Sequence, residues 1–251
     1  MKKIMATVLA LVMTGAMLMA QSAPSAAPTA LELLRRIDGN EIYSTIQYEA
    51  TMTIQYQGRR YVKTMRAWAR GNSDSFIEFT NREDRDTKYL KTNGRLYVYS
   101  PDTEEVMLIS GHMLKESMMG SDMSYEDTID NGSLESRYTP SIVGSENWNG
   151  RDCWILELTA KSRTESYPKQ KLWIDKANGD MLHSERYALS GAKLKEVTIL
   201  KVQEFGGRRF PVETEMHDLL RRDSKTTFTM SNVILDQPIA DSVFSQRNLS
   251  R

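Results

Sequence analysis

The stretch QYEATMTIQYQGRRYVKTMRAWAR, residues 47–70, decides the fold. In its first half Tyr48, Ala50, Met52, Ile54 and Tyr56 alternate with Gln47, Glu49, Thr51, Thr53, Gln55 and Gln57, so an extended chain presents one apolar and one polar face. Gly58 with Arg59 is expected to turn the chain, and 61–70 returns as a second strand carrying Met65, Ala67 and Trp68. A two-faced antiparallel hairpin is thus the unit to look for elsewhere.

Toward the C-terminus the same rhythm recurs. Strands are expected at 75–80, 87–92, 95–100 and 104–109, with a charged turn at 81–86 and another turn at Pro101-Asp102. Asn93-Gly94 is the strongest two-residue hairpin signal in the chain, because both residues tolerate the positive φ of a type I′ turn. Beyond 131 the pattern resumes at 141–147, 153–160, 169–175, 181–189, 193–205, 209–218 and 224–236. Asn149-Gly150, Asn178-Gly179, Ser190-Gly191 and Gly206-Gly207 punctuate it at the spacing of a β meander. About a dozen strands with short connections predict a mainly β protein, built as a single strongly curved antiparallel sheet.

Toward the N-terminus the rhythm stops. In TALELLRRIDGN, residues 29–40, Leu31, Leu34 and Ile37 stand three apart, Thr29 offers an N-cap and Gly39 an end, which predicts one short amphipathic helix. Residues 1–20 carry Lys2 and Lys3, an apolar run and then small residues, the pattern of a cleaved secretory signal peptide. A Ser/Ala/Pro linker, 21–30, follows it rather than a basic stop-transfer flank, and no cysteine near the boundary offers a site for lipid attachment. One domain, 31–251, remains, with no internal repeat.

Composition narrows the function. The 251 residues hold 33 basic and 33 acidic side chains, and removing Lys2 and Lys3 leaves a balance of about −2, so the basic excess of a nucleic-acid binder is lacking. Cys153, the single cysteine, lies within an apolar strand pattern, reads as an inert buried thiol and allows no intramolecular disulfide. Chemistry is no better served. His112, His183 and His217 are scattered, no G-x-S-x-G elbow or phosphate-binding glycine loop occurs, and Cys and His lack the clustering of a zinc site. Asp122, Glu126 and Asp127 lack the spacing of a calcium loop and read better as helix capping. No catalytic residue, metal or cofactor is expected, and an envelope hydrolase would have to rest on His112 alone.

One long segment breaks the strand rhythm: MLISGHMLKESMMGSDMSYED, residues 107–127, which contains five of the 15 methionines. Met113, Met118, Met119 and Met123 are unbranched and polarisable, suited to a lid over an irregular apolar partner. A sheet this large needs its concave face covered, and few helices are available to do it. The apolar strand positions Met52, Ile54, Trp68, Phe79, Leu96 and Trp154, together with Tyr48, Leu156 and Trp173, supply either a packed core or the wall of a cavity.

Six segments carry a resemblance: LLRRIDGN, LKTNGRLYVYSPDTEEVMLIS, MMGSDMSYEDTI, NGRDCWILELTAK, YPKQKLWIDKANGDMLHSERY and DSVFSQRNL. In order and spacing the chain resembles, over roughly 30–249, the outer-membrane lipoprotein-sorting-protein-like family, relatives of the LolA and LolB lipoprotein carriers. The resemblance implies an incomplete β-barrel closed by short lid helices, with an apolar cavity for acyl chains. It implies a monomeric periplasmic shuttle without enzyme activity, making transient membrane-surface contact and working beside an inner-membrane export transporter. Gly120, Ser121, Asp122, Tyr125, Glu126 and Asp127 match the family's glycine-serine-aspartate segment and are expected to anchor the lid, while Met123 stands where the family commonly has an aromatic residue. The lid-tethering arginine of the LolA carriers has only Arg66 and Arg70 as candidates here. The competing reading is a non-catalytic envelope accessory module with a filled interior.

Overall fold

A computed structural model describes residues 27–129 and 132–250. The expected signal peptide, most of the expected linker and Asn131 of the expected Asn131-Gly132 turn lie outside the described residues. Thirteen strands form one antiparallel sheet. In chain order they are β1 (Thr45–Tyr56), β2 (Arg59–Arg70), β3 (Asp74–Phe79), β4 (Lys88–Thr92), β5 (Arg95–Ser100), β6 (Glu105–Ile109), β7 (Tyr138–Trp148), β8 (Arg151–Ala160), β9 (Lys169–Asp175), β10 (Met181–Tyr187), β11 (Lys193–Phe205), β12 (Arg208–Asp218) and β13 (Ser224–Leu235).

Their spatial order is β6-β5-β4-β3-β2-β1-β13-β12-β11-β10-β9-β8-β7. The chain starts at the centre, walks out by hairpins to the β6 edge, crosses through residues 110–137 to the β7 edge and walks back. Pairing of β1 with β13, for example Met52 opposite Phe228, joins the two halves. The crossing segment therefore links both free edges of a curved, unclosed sheet and lies over its concave face.

The turn chemistry is visible in the backbone. Asn93 (φ 51°) and Gly94 (φ 69°) take the two left-handed conformations of a type I′ turn. The first hairpin turns one residue earlier than its sequence suggests: Gln57 (φ 49°) and Gly58 (φ 74°) form the loop, and Arg59 already pairs with Tyr56. Strand β7 begins at Tyr138 and absorbs Pro140, which an edge strand tolerates because one side of its ladder is empty.

Helix α1 (Ala30–Glu41) is started by a capping box, with the Glu32 amide donating to Thr29 Oγ1 at 3.2 Å and the Thr29 amide to Glu32 Oε2 at 2.7 Å. It runs through Gly39 to Glu41 instead of ending at the glycine. Leu33, Leu34 and Ile37 are buried against Leu156, Leu158, Leu172 and Ile174 of β8 and β9, each contributing about 1.5–3 kcal/mol. A second cluster joins β1 to β6 beneath the lid and includes Met52, Ile54, Phe79 and Leu96. On the opposite, convex face Phe244 and Leu249 of the C-terminal segment cover Phe76 and Leu90.

Candidate functional site

The 110–137 crossing folds as two 3-10 turns, Gly111–Lys115 and Met118–Gly120, followed by α2 (Tyr125–Ile129) and α3 (Leu134–Arg137). Met118 is buried, and Met113, Leu114, Met119, Met123 and Tyr125 pack beside it on the cluster of Met52, Ile54, Phe79 and Leu96. The Tyr89 hydroxyl donates to Met119 Sδ at 3.0 Å, and its ring lies 5.8 Å from that of Tyr125. Unbranched side chains thus fill this half of the concavity.

Two sets of polar contacts hold the lid down. At its outer end Arg221, in the β12–β13 turn, donates to the Gly120 carbonyl at 2.9 Å, to Ser117 Oγ at 2.8 Å and to the Ser121 carbonyl. Met119 (φ 53°) and Gly120 (φ 77°) are both left-handed where the chain bends toward it. Deeper in, the buried Asp122 side chain accepts from Thr226 Oγ1 at 2.6 Å and from the Asp218 amide at 3.1 Å. Glu126 accepts from Ser166 at 2.7 Å.

Asp127 is the hub. It caps α2 by accepting from the Ser124 amide at 2.9 Å, and it accepts from Tyr167 at 2.8 Å, from Arg186 at 2.7 Å and from Lys195. Burial by itself would raise its pKa, but Arg186 and Lys195 more than reverse this and hold the carboxyl well below the usual carboxylate range. The same burial drives the Tyr167 phenol up, reinforced by the Asp127 charge.

Beside the packed half lies a cavity of about 350 Å³, enclosed by the end of α1, by α2 and α3, and by strands on either side of the β1–β13 seam. Ile46, Ala67, Leu172, Phe210 and Met230 line it together with the polar Glu41, Asp127, Arg137, Glu165, Tyr167 and Arg186. An amphipathic ligand suits this mixed lining. Glu41, the last residue of α1, keeps some accessible area, yet that area looks into the cavity. Burial, then Asp38 and Asp180, push its carboxyl up to about 7, with Arg186 opposing.

Of the ten residues expected at lid or cavity, only Trp68 borders this cavity, and it does so without its ring, which packs on the convex face 5.9 Å from that of Phe76, so the expectation that Trp68 lines the cavity does not hold. Met52, Ile54, Phe79 and Leu96 lie under the lid with Met113, Met118, Met119 and Met123, and Trp154 packs beside α1 with Lys176 Nζ 4.5 Å from its ring centre. The six expected anchor residues all touch the sheet or the lid's own turns as described above. The arginine candidates are engaged elsewhere: Arg66 pairs with Glu78 at 3.0 Å, and Arg70 with Asp74 at 3.1 Å and with Asp241. Arg221 makes the lid contact instead. Sequence reasoning also passed over Glu41, Tyr167, Arg186 and Lys195. A signal for the last two existed, since both are charges on the face of their strands that Ser184 and Val197 bury.

His112 is exposed on the lid. On the convex face His183, Glu185 and Glu196 converge in a way that could hold a cation. Lys193 Nζ already donates to both carboxylates, at 2.7 Å for Glu185, and His183 lies 3.0 Å from Thr198 Oγ1 and stacks 4.1 Å from the Trp148 ring. The ammonium thus already stands between the two carboxylates and offsets one of their two charges.

A family model whose description is "uncharacterized protein" matches residues 71–251. No curated protein matches the chain. Among solved structures the fold is similar to that of a DUF1329 family protein from Desulfovibrio piger, at 24% identity and TM-score 0.78, over 88% of this chain and 97% of that one. It is similar to an outer membrane lipoprotein-sorting protein domain from Vibrio parahaemolyticus, at 21% identity and TM-score 0.75, over 88% and 97%. A LolA superfamily protein from Nitrosomonas europaea matches at 20% identity and TM-score 0.73, over 88% of this chain and all (100%) of that one.

Proposed function

This chain belongs to the DUF1329-like family, and from that premise we propose that it is a non-catalytic periplasmic carrier, which binds acyl chains of a lipid or lipoprotein and passes them toward the outer membrane. The observation that carries the reading is the cavity of mixed polar and apolar lining on the concave face, roofed by a segment held by polar contacts as well as by its packed methionines. Likeness to lipoprotein-sorting folds and the signal-peptide pattern of residues 1–20 support it. Acyl burial would drive binding at about 25 cal/mol per Å² of apolar surface, and release needs the lid to move or a second acceptor to compete. The methionines on the lid's inner side are the side chains that a longer ligand would meet once the lid lifts.

Native mass spectrometry and lipid extraction of the purified protein, with titration of a fluorescent fatty acid, test the proposal. Co-purifying lipid or saturable acyl binding is the expected result. Absence of both overturns it.

A second reading, an envelope accessory module working beside an export transporter, draws on the tight packing around Met118. It is favoured if the protein retains a transporter contact while failing every acyl-binding assay.

A further inference from the structure

The chain's most exposed large apolar side chains among the described residues are Leu189, 89% accessible, and Leu220, 76% accessible. A single exposed leucine is ordinary on a protein surface. These two project from adjacent turns at one end of the sheet. Tyr187 pairs with Lys193 just before the first turn closes, and the Leu219 amide donates to the Leu194 carbonyl at 2.8 Å where the second begins. Leu219 is also exposed.

The β1–β2 hairpin tip stands against the second turn, its Gln57 amide donating to the Asp223 carbonyl at 3.0 Å. Together they form an open groove of about 640 Å³. Arg59, Arg60 and Arg222 line it, all exposed and with no ion pair to an acid among the described residues. Projecting leucines flanked by unpaired arginines supply the two signals that hold a protein at a bilayer interface, apolar insertion and attraction to anionic head groups.

We propose that this end of the sheet docks on an anionic phospholipid surface and that docking loosens the lid. Leu189, Leu219 and Leu220 enter the interface while Arg59, Arg60 and Arg222 meet lipid phosphates. Arg221 sits between the inserted Leu220 and the phosphate-bound Arg222, and its guanidinium is the outer clasp on Ser117, Gly120 and Ser121. Phosphate oxygens, which match a guanidinium fork better than carbonyls do, compete for that clasp. A carrier would then open at a membrane and stay shut in solution.

Only the purpose of the opening rests on the carrier reading; docking itself is measured without acyl cargo. The mature protein is floated with phosphatidylcholine vesicles with and without phosphatidylglycerol, alongside Leu189→Ser/Leu220→Ser and Arg59→Ser/Arg60→Ser/Arg222→Ser variants. Expected are selective flotation with anionic vesicles, weakening with salt, and a loss of about tenfold or more in each variant. Melting temperature and fatty-acid titration of the variants should match the parent, since every altered side chain is exposed. Hydrogen exchange in 111–129 should speed up when anionic vesicles are added to the parent but not to the leucine variant.

Flotation that is absent, indifferent to lipid charge or unchanged in the variants overturns the docking. So does a result in which the leucines instead mediate self-association in gel filtration. Docking with unaltered lid exchange overturns the coupling to Arg221. Failure of acyl binding alone, with docking intact, strikes the carrier reading and leaves this surface standing.

Discussion

Glu41 and Asp127 face one cavity with opposite electrostatic fates, and the contrast is testable by pH. The Glu41 carboxyl is raised from its ordinary 4.5 to about 7, so the folded state holds a proton that the unfolded chain releases. Its contribution to stability is fully present below about 4.5 and is lost as pH climbs toward 7. Glu41→Gln, which mimics the protonated acid, should flatten the melting temperature across that window and leave the variant the more stable at pH 8. Asp127 works the other way. Its depressed pKa contributes stability above the unfolded value of about 4, lost only as pH falls well below that. Asp127→Asn strands Lys195, whose side chain is 8% accessible, beside Arg186 without their shared anion. A loss of roughly 3–5 kcal/mol in urea denaturation is expected, the usual effect of removing one partner of a buried pair.

The lid is an element whose stability is divided between packing and clasp, and the two can be separated. Met118→Ala removes buried apolar contact and should cost about 2–5 kcal/mol of global stability. Arg221→Ala removes the outer clasp, whose charge-assisted hydrogen bonds contribute about 1.5–3 kcal/mol each at most. Hydrogen exchange in 111–129 should rise sharply in Arg221→Ala while the sheet stays protected. Uniform acceleration of sheet and lid would instead mean that Arg221 holds the whole fold. The strands were legible in the sequence because each carries its own instruction: alternation in 47–57 and left-handed turn pairs such as Asn93-Gly94 act over a few residues. The lid was legible as an interruption but not in its placement. What holds it lies a hundred residues away, with Arg221 reaching Gly120 and Ser121, and an arginine in a charged turn looks like a solvated residue until the fold closes. Lys195 and Arg186 broke the strand pattern detectably. Glu41 gave no sign, because only the tertiary cavity turns an ordinary helix-end carboxylate into a raised one.

At the scale of the molecule, the concavity has one part filled by methionines over β1 to β6 and another, straddling the β1–β13 seam, left partly open. The open volume of about 350 Å³ sits near the lower end of ligand pockets, which run from about 300 to 1,000 Å³. A single acyl chain suits it with the lid closed. A diacyl lipid needs the methionine-filled half as well, so its binding must draw on the free energy that holds Met113, Met118, Met119 and Met123 in place. Affinity for the larger ligand is then reduced by the fraction of molecules whose lid is open, while affinity for the smaller one is not. Weakening the clasp should separate the two: Arg221→Ala is expected to bind a diacyl phospholipid about tenfold more tightly than the parent, with single-chain fatty acid binding changed by less than about twofold. Isothermal titration with both ligands decides it. Equal gains for both would mean that the lid gates entry to one continuous chamber, and no gain for either would mean that the methionine-filled half is core in every state.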